Sequence, residues 1–394
     1  MNPLPLDGVR VIDLTRLLPG NYCTWLLSAL GAEVIKVEDP GAGDYMRDFG
    51  EQLDGMSATH HVANRAKSSI VIDLKSPAGV ELFLDLVATA DVVVESFRPG
   101  VIDRLGIGWD RLSSVRPSVV LASISGFGAS GPLAATPGHD INYMAFAGLL
   151  DRFGDGQTPP NVPAVPIADL IGGGLVTALG VVSLVLRAQR TGTGGRVESS
   201  LAEAVAVLPS LALCDLLAGS ALKPPGQAPY DGGDPWYRTY ALADRGFASV
   251  GAVEERFFAN LCNQMGRPDL IEARHDDDRQ DEIAEALRSE FAGLTREQVE
   301  AKYGPATDTC VVLVNDFEDL IKSSHAQERG LFRSDPSLPL PVPVAPLVVD
   351  GARLPERGRA PRQGENTEAV LRAAGIDETR IKDLLRDGVV AQHE

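Results

Sequence analysis

Two short segments of the sequence place acid–base side chains where a helix is expected to begin. His139 and Asp140 follow a Pro-Gly turn and precede apolar residues at helical spacing, and Asp169 precedes the apolar run 170–186. The first backbone N–H groups of a helix point outward and favour negative charge. Each segment alone is more typical of a helix cap than of a reactive site. Together, a histidine and a carboxylate at two helix N-termini suit the stabilisation of an enolate or oxyanion.

Three consecutive glycines, Gly172, Gly173 and Gly174, lie in the first turns of the helix that Asp169 begins. Each glycine destabilises a helix by roughly 0.5–1 kcal/mol relative to alanine. We therefore expect another part of the chain to approach this backbone closely, next to the candidate carboxylate.

Short runs of β-branched residues alternate with helix-like segments in the first half of the chain. Strands are expected at residues 9–14, 33–38, 70–74, 91–95 and 118–124, with helices between them at 21–30 and 77–88. This alternation predicts a parallel sheet with helices on its faces and a ligand site at the carboxyl ends of the strands. The later patterns predict helices 170–189 and 200–218, a linker at 223–235, strands 237–242 and 248–253, helices 256–266 and 281–292, and a proline-rich return segment at 336–346.

The charge balance of the chain is strongly acidic. Its 394 residues include 36 Lys and Arg against 54 Asp and Glu, which gives a formal net charge of −18. Such a surface repels a phosphate backbone, so we expect no nucleic-acid partner. An anionic ligand must then be held by a local cluster of basic side chains.

The four cysteines, Cys23, Cys214, Cys262 and Cys310, are far apart and form no C-x-x-C pair. This spacing is not that of a zinc ribbon, a thioredoxin-like site or a disulfide scaffold. The N-terminus has no basic segment followed by an apolar stretch, and the apolar run 170–186 is shorter than the ~20 residues of a membrane span. We expect a cytoplasmic protein with reduced thiols and no membrane association.

A G-x-G-x-x-G motif at residues 126–131 follows a predicted strand. A dinucleotide site also needs a helix that begins at the last glycine, and an acidic residue about 20 positions further on at a strand end. Here Pro132 and Pro137 follow at once, and Asp151 lies in no predicted strand. We therefore expect no nicotinamide cofactor and, because no ligand cluster is visible, no metal.

Several blocks of the sequence form a pattern that extends over nearly the whole chain. They are LDGVRV at 6–11, LGAEVIKVE at 30–38, NR at 64–65, IDLK at 72–75, ESFRPG at 95–100, SGFG at 125–128 and GP at 131–132. In these blocks the chain resembles the family III CoA-transferases of the CaiB/BaiF type. The segments GHDINY at 138–143, Asp169 with its glycines, and GAVE at 251–254 resemble the α-methylacyl-CoA racemase branch in particular.

The resemblance implies an α/β fold of two domains in an interlocked homodimer. A large doubly wound, parallel-sheet (Rossmann-like) domain would comprise residues 1–222 with 336–394, and a smaller α+β domain would comprise residues 223–335. The chain would leave the large domain, build the small one and return, which agrees with the proline-rich segments that composition marks as linkers.

The resemblance also implies a racemase or epimerase of 2-methylacyl-CoA thioesters. His139 and Asp169 would be the acid–base pair, and Glu254 would orient His139 at a domain interface. One group would remove the C2 proton to give a planar enolate, and the other would return a proton to the opposite face. No cofactor is implied, because CoA is part of the thioester substrate.

Two other functions stay open at this point. In a CoA-transferase of the same family, Asp169 would attack the thioester and form a mixed anhydride, and neither His139 nor Glu254 would be needed. A CoA-binding module without catalysis would bind acyl-CoA and exchange no α-proton.

By the same resemblance, CoA would contact three loops and one further arginine, with Lys75, Arg98 and Arg104 as the cations for its phosphates. The expected binding residues are Ile72, Asp73, Leu74, Lys75, Ser96, Phe97, Arg98, Arg104, Gly138, His139, Asp140, Ile141, Asn142 and Tyr143. Asp39 stands where racemases commonly have a cation, and Arg47 is the candidate to replace it. The Asp-x-Cys block at 308–310 lacks the usual proline, so a different local backbone is expected there.

Overall fold

Strands and helices alternate along the first half of the chain in the computed structural model, which describes residues 3–53, 55–208, 210–335, 340–355 and 357–393. The strands of these residues are β1 (Arg10–Asp13), β2 (Glu33–Glu38), β3 (Gln52–Leu53), β4 (Met56–Ser57), β5 (Ser68–Ile72), β6 (Val92–Glu95), β7 (Val120–Ser125), β8 (Gly195–Ser200), β9 (Tyr237–Ala241), β10 (Phe247–Gly251), β11 (Val311–Leu313), β12 (Phe332–Arg333), β13 (Val342–Pro343), β14 (Val348–Val349), β15 (Ala352–Arg353) and β16 (Val390–Ala391). The α-helices are α1 (Leu17–Ala29), α2 (Ala58–Ala63), α3 (Pro77–Val87), α4 (Val101–Arg104), α5 (Trp109–Val115), α6 (Asp140–Phe146), α7 (Thr177–Thr191), α8 (Leu201–Ala206), α9 (Leu211–Leu217), α10 (Glu255–Met265), α11 (Leu270–Ala273), α12 (Gln280–Ala292), α13 (Arg296–Tyr303), α14 (Phe317–Lys322), α15 (Ser324–Glu328), α16 (Thr367–Ala373) and α17 (Glu378–Arg386). A π-helix, Asp169–Val176, runs directly into α7, and short 3-10 turns cover Tyr45–Asp48, Leu150–Arg152, Asp277–Arg279 and Pro305–Thr307.

Seven strands form one sheet in the order β16-β5-β2-β1-β6-β7-β8. Six of them are parallel, and β16 at one edge pairs antiparallel with β5. Counted among themselves, the parallel strands follow the order 3-2-1-4-5-6 of a doubly wound, Rossmann-like fold. The order reverses between β1 and β6, and ligands bind at the carboxyl ends of the strands at such a reversal. The predicted α/β fold with a doubly wound parallel sheet is confirmed.

Apolar side chains at alternate positions of the strands bury both faces of this sheet. Ile12 pairs in register with Ile35 and Val93, and this row belongs to a core that includes α3, α5, α16 and α17. Val11, the neighbour of Ile12 in β1, is equally buried, and α1 contacts β1, β2 and β6. Successive side chains of a strand point to opposite faces, so helices cover both sides, as is typical of parallel sheets.

The chain divides into two compact units. The first comprises Met1–Ala147, Pro163–Val207 and Ser324–Glu394 and contains the seven-stranded sheet. The second comprises Gly148–Val162 and Leu208–Ser323, with an antiparallel sheet in the order β11-β10-β9. Residues of this sheet share an aromatic-rich core with residues of α10, α12 and α13.

The limits of these units differ from the predicted domain limits, 1–222 with 336–394 and 223–335, which stay a prediction. The chain enters the second unit at Leu208 and leaves it after Ser323, which is earlier than the predicted positions 223 and 336. The segment 148–162 also belongs to the second unit. That segment is held there because Arg152 donates to the carbonyl of Lys223 and to the carboxylate of Asp231. Residues 336–339, at the start of the predicted return segment, lie outside the described residues.

The predicted helix 200–218 is two shorter helices, α8 and α9. Residue 209 is a proline in the sequence, and a proline lacks an N–H and disfavours helical conformation in the residue before it. Ser210 then caps α9, because its side chain accepts the N–H of Leu213 at 3.2 Å.

The helix that begins at Asp169 is longer than the sequence predicts. The π-helix and α7 together cover Asp169–Thr191, 23 residues that reach a mean hydropathy of 2.0, enough by length and composition to cross a membrane. The expectation that this segment is too short for a span is therefore wrong. Its residues contact α1, β7 and β8 in the first unit, while Leu175, Leu179 and Leu186 are exposed. A cytoplasmic location stays a prediction.

Candidate active site

The carboxyl ends of the central strands open into a cavity of about 740 Å³ in the first unit. It lies where a doubly wound sheet is expected to bind its ligand, and it gathers the two acid–base candidates, His139 and Asp169. The lining residues are Arg16, Leu17, Pro19, Tyr45, Ser96, Phe97, Arg98, Pro99, Ile124, Ser125, Gly126, Ala134, Ala135, Thr136, Pro137, Gly138, His139, Asn142, Tyr143, Asp169 and Leu201.

His139 is the residue immediately before α6, and its side chain is exposed. Its backbone N–H donates to Oδ1 of Asn142 at 3.0 Å, which ties the chain to the first turn of the helix. Tyr143, buried in the same helix, donates its hydroxyl to the carbonyl of Gly138 at 2.6 Å. These two bonds fix the turn that presents the imidazole. The predicted helix start at His139 and Asp140 is confirmed.

The first glycine of the G-x-G-x-x-G motif makes room for the ring of Tyr143. A Cβ added at Gly126 would lie 2.6 Å from that ring. Burial, together with the charges of Asp169 and Asp140, raises the pKa of Tyr143 to about 12, so the phenol stays a neutral hydrogen-bond donor. The next helix after the motif is α6, which begins well beyond Gly131. The motif therefore lacks the helix that a dinucleotide site requires.

Asp169 is the first residue of the π-helix and is half-buried beside the cavity. Its backbone N–H donates to Oδ1 of Asp140 at 3.0 Å, so one bond joins the start of the π-helix to the start of α6. Burial, and then the negative charge of Asp140, raise the pKa of Asp169 to about 7. A carboxyl group with this pKa is present in both protonation states near neutral pH, which suits a group that accepts and returns a proton.

The glycines after Asp169 let the π-helix pack closely against α1. A Cβ added at Gly173 would lie 2.2 Å from Cβ of Pro19. One added at Gly174 would lie 2.4 Å from the ring of Tyr22. The close approach that the three glycines predict is confirmed, and it fixes the position of the π-helix, and hence of Asp169, relative to α1.

A second cavity, of about 580 Å³, lies at the carboxyl ends of β2 and β5. It is lined by Leu14, Arg16, Val37, Glu38, Asp39, Pro40, Gly41, Tyr45, Ile72, Asp73, Leu74, Lys75, Phe97, Val101 and Leu105. Arg16, Tyr45 and Phe97 line both cavities, so the two adjoin. The structure thus places the expected CoA-binding block 72–75 in the second cavity and the block 96–98 in the first.

Three of the expected binding residues line neither of these two cavities. Arg104 is exposed at the end of α4, the helix whose first residue, Val101, lines the second cavity. The carboxylate of Asp140 accepts the backbone N–H of Asp169. The side chain of Ile141 is exposed on α6.

Arg47 does not replace the missing family cation. Its guanidinium is buried and donates to both carboxylate oxygens of Glu38, at 2.8 and 2.6 Å, and to the carbonyl of Pro361. A buried guanidinium needs such partners, since leaving it or Glu38 unpaired would strand a charge in the interior. The expectation that Arg47 takes this role is therefore wrong.

The sequence reasoning missed Arg16 and Tyr45. Arg16 pairs with Asp39, and its guanidinium lies 5.1 Å from the centre of the Tyr45 ring. Its backbone N–H donates to Oγ of Ser96 at 3.1 Å, across the reversal of strand order. The signal that could have found it was its position, because Arg16 is a cation just beyond the first strand of a doubly wound sheet.

Buried ion pairs support the turn after β1. Lys67 pairs with Asp13, and Lys36 pairs with Asp44 at 2.9 Å; none of the four side chains is exposed to solvent. Asp44 also accepts the N–H of Leu17, whose φ of 63° lies in the left-handed region that leucine rarely adopts. Although burial opposes it, the charge of Lys36 and the bond from Leu17 hold the pKa of Asp44 well below its usual range. The buried Lys36–Asp44 pair thus stabilises the strained turn at Leu17, which lines the first cavity.

Glu254 lies in the second unit, where it precedes α10 and is exposed. In the same unit, Asp308 and Cys310 have φ values of 54° and 52°. The block without the usual proline therefore has a left-handed backbone at two positions. The expected difference in backbone from the racemases stays a prediction. The role of Glu254 in orienting His139 stays a prediction.

The part of the chain that the structure describes brings no three histidine, cysteine, aspartate or glutamate side chains together as metal ligands. The four cysteines are free thiols. Whether the reaction needs a metal or a nicotinamide is a separate question, and the expected independence from both stays a prediction.

Known proteins are similar to this chain in sequence and in fold. The profile of CoA-transferase family III matches residues 6–367. The chain is 32% identical to human alpha-methylacyl-CoA racemase, over 99% of each chain. It is 31% identical to mouse succinyl-CoA:glutarate CoA-transferase, over 99% of this chain and 91% of that protein. A CaiB/BaiF family protein from Brucella suis has a similar crystal structure, with a TM-score of 0.81 and 28% identity over 95% of this chain and 100% of that one.

Proposed function

This chain belongs to CoA-transferase family III, and we propose that it is a racemase or epimerase that interconverts (R)- and (S)-2-methylacyl-CoA thioesters. One observation carries the proposal. His139 and Asp169 line the same cavity, and the Asp140 carboxylate joins the starts of their two helices. A racemase needs two acid–base groups that reach one carbon, and we propose that His139 and Asp169, which line one cavity, are this pair. The full-length similarity to human alpha-methylacyl-CoA racemase supports the same reaction.

The proposed reaction moves one proton at C2 of the acyl group. One group takes the proton, the C–H bond breaks, and its electron pair passes into the thioester carbonyl to give an enolate. The other group then donates a proton to the opposite face of C2, and the carbonyl is restored. The raised pKa of Asp169, about 7, lets this residue act as base in one direction and as acid in the other. Protons and electrons balance without a redox partner.

The enolate oxygen needs hydrogen-bond donors, and helix N-termini were the expected source. The N–H groups of Asp169 and Leu170 already donate, to Asp140 and to the carbonyl of Pro166. Because both N–H groups already have acceptors, neither is available to the enolate oxygen.

The two adjoining cavities suit the long CoA portion of the substrate. In the proposal, the acyl group lies beside His139 and Asp169, and the nucleotide end extends towards Ile72–Lys75 in the second cavity. Lys75, Arg98 and Arg104 supply positive charge near this path. Such a local cluster of cations is what a protein with a net charge of −18 needs to hold phosphates.

The test is proton exchange at C2. Desalted, chelator-treated protein is incubated with (S)-2-methylacyl-CoA in deuterated water, without added carboxylic acid. The proposal predicts deuterium at C2 and appearance of the (R)-thioester, with unchanged total thioester. Absence of both, with CoA transfer once a carboxylic acid is added, would contradict it. Activity that returns only with zinc or a nicotinamide would contradict the expected independence from cofactors.

A CoA-transferase is the second candidate, because the mouse succinyl-CoA:glutarate CoA-transferase also matches over nearly the whole chain. In that reaction the Asp169 carboxylate attacks the thioester carbonyl, the C–S bond breaks, CoA thiolate leaves, and a mixed anhydride forms. Hydroxylamine would convert this anhydride to a hydroxamate on Asp169, which peptide mass spectrometry detects. A hydroxamate would favour the transferase. Binding of acyl-CoA with neither reaction would favour a binding module.

The interlocked homodimer and the role of Glu254 belong to the same proposal. Light scattering should give twice the mass of the 41.8 kDa chain, and a monomer would contradict the dimer. Glu254→Gln should slow C2 exchange and alter its pH profile, because the carboxylate is proposed to hold the tautomer and orientation of His139. An unchanged exchange rate and pH profile would contradict that role.

A further inference from the structure

Arg16 occupies the junction of the two cavities. Arg98 lines the first cavity alone and Lys75 lines the second alone, whereas Arg16 lines both. From this position we infer that Arg16 binds the 5′-diphosphate of CoA, and that Asp39 is its competing partner when no ligand is bound. The inference rests on the proposed use of this cleft by a CoA thioester.

The path of the ligand leads to this assignment. A CoA thioester with its acyl end beside His139 and its adenosine end beside residues 72–75 must pass the residues that the two cavities share. The shared residues are Arg16, Tyr45 and Phe97, and Arg16 alone among them is charged. The diphosphate is the anionic group that lies between the adenosine and the pantetheine arm. A guanidinium at this point matches it in charge and in geometry.

The ion pair between Arg16 and Asp39 is accessible to a ligand. The two side chains are 33% and 37% exposed, so the pair is partly solvated and contributes little free energy by itself. A diphosphate can therefore replace the carboxylate without leaving a buried charge. By the resemblance, Asp39 stands where racemases commonly carry a cation, and in our inference Arg16, which pairs with Asp39, supplies that positive charge.

Neighbouring residues fix the position of Arg16, from which it could release Asp39 and bind a diphosphate. Its backbone N–H donates to Oγ of Ser96, and its guanidinium stacks over the ring of Tyr45. The next residue, Leu17, is held in a left-handed turn by the buried carboxylate of Asp44. A fixed backbone and a stacked guanidinium reduce the side-chain entropy that binding would otherwise cost.

The test compares three variants by calorimetric titration with CoA and with dephospho-CoA, which lacks the 3′-phosphate. Arg16→Gln removes the cation. Asp39→Asn removes the competing charge but keeps the Oδ1 acceptor that bonds the N–H of Gly41 at 2.9 Å. Arg10→Gln is the matched control, because Arg10 is also paired with an acid of the neighbouring strand, Glu33, but at the amino ends of β1 and β2.

The inference predicts that substitutions of Arg16 and of Asp39 change Kd in opposite directions. Arg16→Gln should raise Kd about 10-fold for both ligands, Asp39→Asn should lower it, and Arg10→Gln should leave it unchanged. Weaker binding in both Arg16→Gln and Asp39→Asn would mean that the pair is only structural, and would overturn the inference. An effect of Arg16→Gln on CoA but not on dephospho-CoA would assign Arg16 to the 3′-phosphate instead.

Two further outcomes keep this inference apart from the proposed function. If Arg16→Gln fails to fold, Asp39→Asn still carries the test, since tighter binding supports the inference and unchanged or weaker binding contradicts it. If the unaltered protein binds no CoA at all, the proposed function fails as well. Binding is measured without turnover, so a transferase and a racemase would give the same result here.

Discussion

The backbone N–H of Asp169 donates to Oδ1 of Asp140, with 3.0 Å between the two atoms. Asp140 directly follows His139 in the chain, so this bond links the two acid–base candidates through one residue. It also holds a negative charge beside Asp169, and this charge adds to burial in raising the pKa of Asp169 to about 7. The residue after the histidine thus helps to set the protonation state of the aspartate.

Asp140→Asn tests this link, because the asparagine keeps an oxygen that can accept the Asp169 N–H and loses the charge. Without that charge the pKa of Asp169 should fall, while burial keeps it above that of an exposed carboxyl. The lower limb of the pH profile for C2 deuterium exchange should move to lower pH by on the order of one unit. Asp140→Ala, which also loses the acceptor, should be slower still. A lower limb that stays in place in Asp140→Asn would show that Asp140 does not tune Asp169.

Gly173→Ala tests the close packing that positions the π-helix. The new Cβ would meet Cβ of Pro19 at 2.2 Å, so the π-helix must move away from α1. We expect a loss of about 1–3 kcal/mol in the free energy of unfolding and a slower C2 exchange, measured by urea titration and mass spectrometry. Gln189→Ala, on an exposed position of α7, is the control and should change neither quantity. Stability and exchange equal to those of the unaltered protein would contradict the packing argument.

Asp44→Asn tests the buried ion pair beneath the cavity mouth. It removes the buried carboxylate with which Lys36 pairs at 2.9 Å, so the free energy of unfolding at pH 7 should fall by about 3–5 kcal/mol. Because the folded state lowers the pKa of Asp44, its contribution is present above the ordinary value near 3.8 and is lost as the pH falls through the folded value. The difference in the free energy of unfolding between Asp44→Asn and the unaltered protein should therefore disappear at acidic pH.

Glu33→Gln is the control for this experiment. Glu33 lies in the same strand as Lys36, but its ion pair with Arg10 is exposed. The free energy of unfolding of Glu33→Gln should therefore fall by less than about 1 kcal/mol. Equal losses in Asp44→Asn and Glu33→Gln would contradict the claim that burial makes the Lys36–Asp44 pair important.

Sequence patterns predicted the features that depend on neighbouring residues. The strand expected at 33–38 has those bounds, and the helix start at His139 follows from a local turn and a local hydrogen bond. The glycines after Asp169 correctly predicted a close approach, since a run of glycines early in a helix is itself unfavourable.

Features that depend on distant residues were not predictable in this way. Arg47 was misjudged because its burial is a tertiary feature: its guanidinium pairs with Glu38 at the end of β2 and donates to the carbonyl of Pro361, more than 300 positions away in the chain. Arg16 was missed because its partner, Asp39, follows β2 and is 23 positions away in the chain. The raised pKa of Asp169 comes from burial and from the charge of Asp140, which is 29 positions away in the chain.

Arg104→Ala tests the cationic patch outside the cavities. Arg104 is exposed at the end of α4, beside the second cavity, so its loss should raise KM for the thioester roughly 10-fold and change kcat little. Arg111→Ala, an exposed arginine of α5 paired with Glu81, is the control and should leave both constants unchanged. An unchanged KM with a much lower kcat would mean that Arg104 does not bind the phosphates.

The most direct test of the two-base account follows each enantiomer separately in deuterated water with His139→Ala and Asp169→Asn. Both variants should lose racemisation by ~10²–10⁴-fold, since each group serves one face of C2. Each should still exchange the C2 proton of the one enantiomer that faces the remaining base, and the two variants should prefer opposite enantiomers. No hydroxamate should form on Asp169 with hydroxylamine. Nearly full activity in His139→Ala, together with a trapped acyl group on Asp169, would contradict the racemase and favour the transferase.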